Sequence, residues 1–539
     1  MQAPADLADR TFDVLVVGGG INGAAIARDA ALRGLSVCLV EAEDWGSGTS
    51  SRSSKLAHGG LRYLEQFEFG LVREALLDRE RLLRHAPHQV RPLQFLYPIY
   101  PDVAARRTVR VGLWLYDLLS ACKSLPKRRY LKAKSARTLV PGLATKGLKG
   151  AATFWDAQIQ HVERLVAEMV WDARRHGADV RNRTRVTRIL VEGGRAVGAE
   201  LRDETGTAAT VRTGAVVNAT GCWVDETLGT LAAGKPPMVR KTKGIHVAVP
   251  RVADAAVMVK ARDGRSFFLL PWGDHSILGT TDTDYAGDVH EARADADDVS
   301  YLLDEASRYL PDAALAPLLY TYAGVRALVN EEGVTESNVT RRHILHDHGR
   351  DGVAALWTLQ GGKITTARTL AEECVDRICA SLGRPDAARQ HPTRKHAYPG
   401  GEGVESWASW LGQAAGLARV AGVPDERAAP FVARWGALWP RVLACEGPEG
   451  RHALGTTGLL GCEVTFAVRE QQAAHLEDVV LRRTDLVWRG SDRDGIVAAW
   501  MARLLGWDAA RLEQETARLE MAMARFAVPR PSVTTLPAK

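Results

Sequence analysis

The chain has 539 residues, enough for roughly three domains at about 150 residues each, and 46% hydrophobic with 25% charged residues is the balance of an ordinary folded protein. This excludes disordered, collagen-like and disulfide-scaffold classes, and no run approaches the ~18 consecutive apolar residues of a membrane-spanning helix. The net charge of +6 is unevenly placed: residues 106–137 hold ten Lys or Arg against one acid, Asp117, a block that points to nucleic acid or a membrane surface. Residues 1–10 carry two Asp and no apolar segment, so a secretory signal is not expected. Seven scattered cysteines without a C-x-x-C pair read as reduced thiols of a cytosolic compartment.

In chain order, residues 12–17 are apolar and β-rich, 21–33 are Ala-rich and helical with Gly34 as a C-cap, and 35–40 form a second strand. Strand, helix and strand make a βαβ unit, which implies a doubly wound α/β sheet. Between strand and helix lies Gly18-Gly19-Gly20-Ile21-Asn22-Gly23, with G-x-G-x-x-G spacing. Gly18 permits the tight turn, Gly20 lets backbone approach a pyrophosphate, and Gly23 lets helix pack on strand, while the helix N-terminus offers free N–H groups. Glu41 ends the second strand, 18 residues after Gly23, where a carboxylate accepts both ribose hydroxyls. The turn alone does not separate NAD from FAD.

After Glu41 the chain is rich in glycine and hydroxyl residues (46–55) and then reads LAHGGLRYL (56–64), suited to close approach by a long folded dinucleotide or to a mobile linker. Strands are expected at 214–219, 244–249, 266–271 and 276–280, with helices at 162–176 and 297–309, so a second sheet interleaves with the first domain. Residues 361–368 (GGKITTAR) form a second glycine turn into a helix. The Gly-, Pro-, His- and Arg-rich stretch 383–403 reads as a linker, and beyond it apolar residues recur at helical spacing over 464–483 and 493–525.

Taken together, GGGINGAAIARDAALRG, TSSRSSKLAHGGLRYLE, RVGLWLYDLL, VVNATGCWVD, KGIHV, PWGDHSILGTTDTDYAGD, YAGVRAL, VTRR and GGKITTAR run in one order from residue 18 to about 370. The sequence resembles the FAD-dependent glycerol-3-phosphate dehydrogenase family, the respiratory enzymes. EVTFAVREQQAAHLEDVVLRRT extends a weaker likeness into the C-terminal region. The resemblance implies a Rossmann-type FAD-binding domain interleaved with a mixed-sheet substrate domain, plus a C-terminal helical domain. The segments are 1–80 (FAD-binding βαβ and flavin contact), 81–382 (substrate domain and remaining FAD segments), 383–403 (linker) and 404–539 (helical).

The implied activity is oxidation of sn-glycerol-3-phosphate to dihydroxyacetone phosphate, by hydride transfer from C2 to flavin N5, with electrons passing to a membrane quinone. Implied cofactor contacts are Gly18, Gly20, Ile21, Asn22, Gly23, Glu41, Thr49, Ser50, Ser54, Lys55, Leu56, His58, Gly59, Gly60, Val186, Ala219, Thr220, Gly221, Trp223, Gly362, Lys363, Ile364 and Thr365. By the same resemblance Arg62, Tyr63, Arg326, Arg341 and Lys363 line the substrate pocket. Arginine suits the phosphate because its planar fork binds bidentately and stays charged. His58, Arg326 and Lys363 are the catalytic candidates; His58 suits either a general base or a flavin hydrogen bond, and Lys363 an electrostatic role on the hydroxyl. His246 is a lesser candidate for the base, and its commoner identity is a satisfied core histidine. His343, His346 and His348 read as solvated loop histidines, so no metal is expected.

Two departures from the family pattern stand out. Residues 156–165 read DAQIQHVERL, one residue longer than usual with Gln and His in place of acids, and Ala327 replaces a common proline. Both could reshape the pocket wall. Residues 109–125 are largely apolar with Trp114 and Tyr116 and have basic flanks (Arg106, Arg107, Arg110; Lys127, Arg128, Arg129), which fits an interfacial helix or a buried one with solvated ends. The expectation is a cytoplasmic enzyme held peripherally on the inner face of the membrane, on anionic lipid, with no nucleic-acid partner and a homodimer left open. The alternatives are an oxygen-using flavoprotein oxidase, an enzyme for a divergent substrate, a flavin-binding sensor without turnover, and a nicotinamide dehydrogenase.

Overall fold

The segment after residue 10 forms two short strands rather than one. Thr11–Phe12 joins a four-stranded sheet with Thr184–Glu192, Arg195–Asp203 and Ala208–Thr213, whereas Val14–Val17 (β1) enters the nucleotide sheet. Asp13 sits at the break, its carboxylate accepting from the Ser36 backbone (2.7 Å) and hydroxyl (2.9 Å). From β1 the chain passes through helix α1 (Ile21–Leu32) to Val37–Val40 (β2), parallel to β1 with Val14 opposite Val37. The computed structural model describes residues 4–7, 10–101, 103–120, 123–330, 342–489 and 495–529.

Four later strands complete the nucleotide sheet: Asp179–Arg181 (β3), Val216–Asn218 (β4), Ile344–Asp347 (β5) and Leu356–Gln360 (β6). The order is β5-β6-β4-β1-β2-β3, parallel except for β5. The strands are short apolar runs because helices cover the sheet. Helix α1 packs between Val162–Arg175 (α2) and Ala367–Ser381 (α3), and Ala24, Ala27 and Ala30 keep the approach close. Its buried Arg28 is neutralised by Asp172 of α2 (2.6 Å), and Arg33 by Asp29 (2.6 Å) and Asp376 (2.5 Å).

A ten-stranded mixed sheet stands beside it. Val90–Ile99 and Gly150–Ile159 pair antiparallel along their whole length, and Val239–Pro250 pairs with Tyr320–Val329 so that Thr242 faces Arg326 and Gly244 faces Gly324. The chain alternates between the two sheets, so their shared crevice collects residues distant in sequence.

Residues 383–403 form short turns docked on the nucleotide domain: Thr393 donates to Asp29 (2.6 Å), Arg28 to the Ala397 carbonyl (2.8 Å), and the Gly400 N–H to Glu168 (2.6 Å). Beyond them the described residues form helices joined by turns, with one isolated β-bridge, Ala453 to Leu460. The helix expected over 464–483 ends as Gly461–Arg469, with Gln472 at positive φ and a π-helical turn at Asp478–Arg483. The helix expected over 493–525 divides at Gly506, whose left-handed conformation stops Ile496–Leu505 before Asp508 caps Ala509–Ala524. No helix among the described residues is long and apolar enough to cross a membrane.

Candidate active site

The glycine turn is closed by backbone contacts that exclude side chains. A Cβ on Gly18, at φ +105°, would lie 2.7 Å from the Ala219 carbonyl oxygen, and one on Gly23 would lie 1.8 Å from the Gly18 oxygen. Gly20 caps α1 with little above it, and Ile21 N–H donates to Ser50 Oγ (3.0 Å). Glu41 is deeply placed: Oε2 accepts from Gly19 N–H (2.6 Å) and Oε1 from Glu43 N–H (2.9 Å), leaving lone pairs on both oxygens. Burial pushes this carboxyl above the ordinary range, against those two donors.

From this turn a continuous cleft of about 450 Å³ runs to the crevice between the sheets. Its first part is lined by Gly18, Gly20, Glu41, Ser50, Val186 and Thr220, and its far part by His58, Gly60, Tyr63, Arg326, Lys363 and Thr365. Asn22 Oδ1 is buried there without a protein partner. An open cradle at a helix N-terminus, an orphaned acceptor and an acid with spare lone pairs fit a bound dinucleotide of FAD's length.

At the far end Arg326 lies folded over Gly244, where a Cβ would come within 2.2 Å of Nη2. Its guanidinium donates to Asp282 Oδ1 (3.0 Å), Thr280 Oγ1 (3.0 Å) and the Thr281 carbonyl (3.2 Å), which fixes the plane of the fork. Lys363 Nζ sits 3.6 Å from the Tyr63 ring centroid, a cation–π seat that holds the ammonium over the ring. Gly60, at φ +79°, turns the chain between them, because a Cβ would strike the Tyr63 ring. His58 is anchored by its backbone N–H on Thr365 Oγ1 (3.1 Å).

Beneath this loop is a buried polar group. Tyr116 donates to Asp156 (2.7 Å), Arg79 pairs with the same carboxylate (2.7 Å), and Gly59 N–H donates to Tyr116 Oη (2.9 Å). Asp156, at the start of the 156–165 stretch, therefore supports the His58–Gly60 loop. The same stretch also supplies Glu163, which pairs with Lys55 (2.8 Å). Burial would raise the Glu163 carboxyl, but Lys55 and His161 hold it down at about 2. His246 stacks on Tyr322 (4.6 Å between centroids) and meets Ser54 Oγ through Nε2 (2.8 Å). Burial, then Arg326 and Lys55, lowers its imidazole to about 3, so it is neutral and a poor base.

Most residues expected on the cofactor meet in this one cleft; three do not line it. Gly23 and Gly59 serve packing and loop support, and Lys55 turns away at φ +57° to its buried ion pair. The Arg62 side chain and Arg341 lie outside the described residues. Lining residues not singled out from the sequence include Arg52 and Asp282, which lie inside matched stretches, and Arg265 and an apolar wall of Phe95, Phe154, Met258 and Phe268, which do not. His343 pairs with Glu373 (2.9 Å), while His346 lies within β5 and His348 is buried in the turn that follows.

A family profile described as "FAD dependent oxidoreductase" matches residues 13–377, and one described as the "C-terminal domain of alpha-glycerophosphate oxidase" matches 391–512. The chain is 38% identical over 511 residues to a protein named glycerol-3-phosphate dehydrogenase in Mycobacterium leprae, covering 92% of this chain and 86% of that one. The chain belongs to the FAD-dependent glycerol-3-phosphate dehydrogenase family. Its cofactor is FAD, and it is an oxidoreductase. The structure of the glycerol-3-phosphate dehydrogenase from Bacillus halodurans complexed with FAD superposes with a TM-score of 0.79 at 26% identity, covering 98% of this chain and 97% of that one. A protein named D-erythritol 1-phosphate dehydrogenase in Brucella abortus is 37% identical, covering 88% of this chain and 94% of its own length.

Proposed function

We propose that this protein oxidises sn-glycerol-3-phosphate to dihydroxyacetone phosphate. The observation that carries the reading is the arrival of Arg326, Lys363 and Tyr63 at one end of the cleft whose other end is the dinucleotide turn. FAD bound in the cleft supplies the two-electron acceptor for hydride from C2. Arg326, held flat by Asp282 and Thr280, presents a permanently charged fork to a phosphate dianion. Lys363 stabilises negative charge growing on the C2 oxygen as its proton leaves. His58, which lines this end of the cleft, takes that proton, since His246 is too acidic for the task.

A second reading, a longer polyol phosphate, is favoured by near-equal identity to the protein named D-erythritol 1-phosphate dehydrogenase. Anaerobic mixing of the yellow protein with each phosphate, following flavin absorbance, separates the two. Fast bleaching by sn-glycerol-3-phosphate, and none by unphosphorylated glycerol, is the expected result. Bleaching by erythritol phosphate alone would replace the first reading with the second.

The proposal extends to a quinone acceptor and a peripheral site on the cytoplasmic face of the membrane. Helix Val103–Leu119 is two-faced: Leu113 and Tyr116 are buried, while Val111, Trp114 and Leu118 are 65%, 53% and 63% exposed at positions i, i+3 and i+7. Phe67 is exposed just after the Leu61–Leu64 turn, which touches this helix and carries Tyr63 of the cleft. An apolar stripe with Lys127 and Arg129 exposed nearby supports docking on anionic lipid beside the cleft mouth. Hydrogen peroxide formed in stoichiometric yield during turnover would assign oxygen as the acceptor instead.

A further inference from the structure

His346 lies next to the last residue of β5 (Ile344–Asp347), His348 opens the turn that follows, and that turn, His348–Asp351, carries Asp351 back toward both imidazoles. His346 Nε2 lies 2.7 Å from Asp351 Oδ2, and His348 Nδ1 lies 3.2 Å from the same oxygen. The three ligand atoms all fall within 4.8 Å of one another. Ligands about 2.0–2.1 Å from a tetrahedral ion stand about 3.3 Å apart, so this group closes around one ion by small side-chain shifts. We propose that His346, His348 and Asp351 form a binding site for a divalent transition-metal ion of the zinc class, a site separate from the FAD cleft.

The other ring nitrogen of His348 supports the assignment. Its Nε2 is 2.8 Å from Thr358 Oγ1 on the neighbouring strand β6, and Thr358 is wholly buried. With Nε2–H donating to that hydroxyl, Nδ1 directs a lone pair at the Asp351 carboxylate, and a cation between them satisfies both. This outer hydrogen bond is what orients ligating histidines in metal sites. Two imidazoles and one carboxylate select a zinc-class ion over Mg²⁺ or Ca²⁺, which take oxygen ligands. His346 and Asp351 are each about one-third exposed along their side chains, so solvent can reach a fourth position.

Among the described residues Lys235 also faces the site, with Nζ 3.8 Å from Asp351 Oδ2; half exposed on a flexible stem, it can swing aside. The contrast with a second histidine–carboxylate group, Asp172, His176 and His396, is instructive. There Arg28 already bonds Asp172 at 2.6 Å, and a guanidinium holds the place of a cation. The bound ion would tie the β5–β6 hairpin at its Asp347–Trp357 end, while β6 continues from its opposite end into the Gly361–Thr365 lining of the cleft.

The test is calorimetric titration of Zn²⁺ into chelator-treated, FAD-loaded, full-length protein. One equivalent is expected in the native protein and in His343→Ala, and its loss in His346→Ala and in Asp351→Ala. Thr358→Val, which keeps all three ligands, is expected to weaken binding by about 10-fold. Absence of an equivalent in the native protein, or an unchanged equivalent in both ligand variants, would overturn the proposal.

Discussion

Arg326 has its guanidinium plane set by Asp282, Thr280 and the Thr281 carbonyl, and only Gly244 leaves room for it on the strand below. Arg326→Ala is therefore expected to cut turnover by about 100-fold or more while flavin absorbance stays with the protein. Loss of flavin together with activity would place this residue on the cofactor instead. Arg326→Lys should recover little, because a point charge lacks the fork. His246 carries a pH prediction. Its ordinary value of 6.5 falls to about 3 in the fold, so between those values the unfolded chain binds a proton that the native state does not. Stability must then rise with pH across that window, and His246→Asn should flatten the slope measured by urea unfolding. At this scale the sequence is legible where a residue sits inside a motif and its type suits the chemistry, as Arg326 does, and illegible where tertiary placement alone decides. Arg52, in the turn Thr49–Arg52 of a matched stretch, and Arg265, just before the strand Ser266–Trp272, reach the cleft with nothing local to announce it. Lys55 lies in the same hydroxyl-rich run as Ser50 and Ser54, but its left-handed backbone sends it to Glu163.

Among the elements, the loop after β2 is where the C-terminal helices grip the nucleotide domain. Asp44, three residues past Glu41, accepts from Arg483 through both oxygens (2.7 and 2.8 Å) and from Arg482 Nε (2.6 Å). Arg482 also bonds Asp478, which takes Arg183 at 2.5 Å. These charges are buried, so removing one partner leaves another uncompensated. Arg483→Met is expected to destabilise the protein by about 3 kcal/mol, read as a lower denaturation midpoint. Because the Arg183 backbone N–H also donates to the Glu43 carbonyl (2.7 Å), next to Glu41, retention of FAD should weaken in the same variant. A variant with unchanged midpoint and unchanged FAD retention would show the clamp to be dispensable. The βαβ unit was legible because glycine spacing, helix and terminal acid all fall within thirty residues of chain. The clamp was not, because nothing local to residues 478–483 marks a π turn or says that its arginines will meet Asp44, 438 and 439 positions away.

For the whole molecule, the question is how electrons leave a cleft buried between two sheets. The exposed Val111, Trp114 and Leu118 stripe and Phe67 lie around the turn that carries Tyr63, so a surface that covered this patch would sit against the cleft's substrate end. Of the basic residues beside it, Lys123 and Arg128 are paired with Asp117 at 2.5 and 2.9 Å, which leaves Lys127 and Arg129 as the exposed charges of that turn. Each cation near an anionic surface contributes about 1 kcal/mol, so Lys127→Ala with Arg129→Ala should weaken partition onto anionic vesicles by about 30-fold. Trp114→Ser with Leu118→Ser should weaken it further and make the remainder more sensitive to salt, since the apolar contribution is not screened. Neither pair touches the cleft, so turnover with a soluble dye acceptor is expected to stay at the native rate in both. Quinone-linked turnover on vesicles should fall in step with the bound fraction. Vesicle flotation and the two assays decide the matter: native partition in both variants would remove this face as the docking surface, whereas loss of dye-linked turnover would mean the helix supports the cleft rather than the membrane.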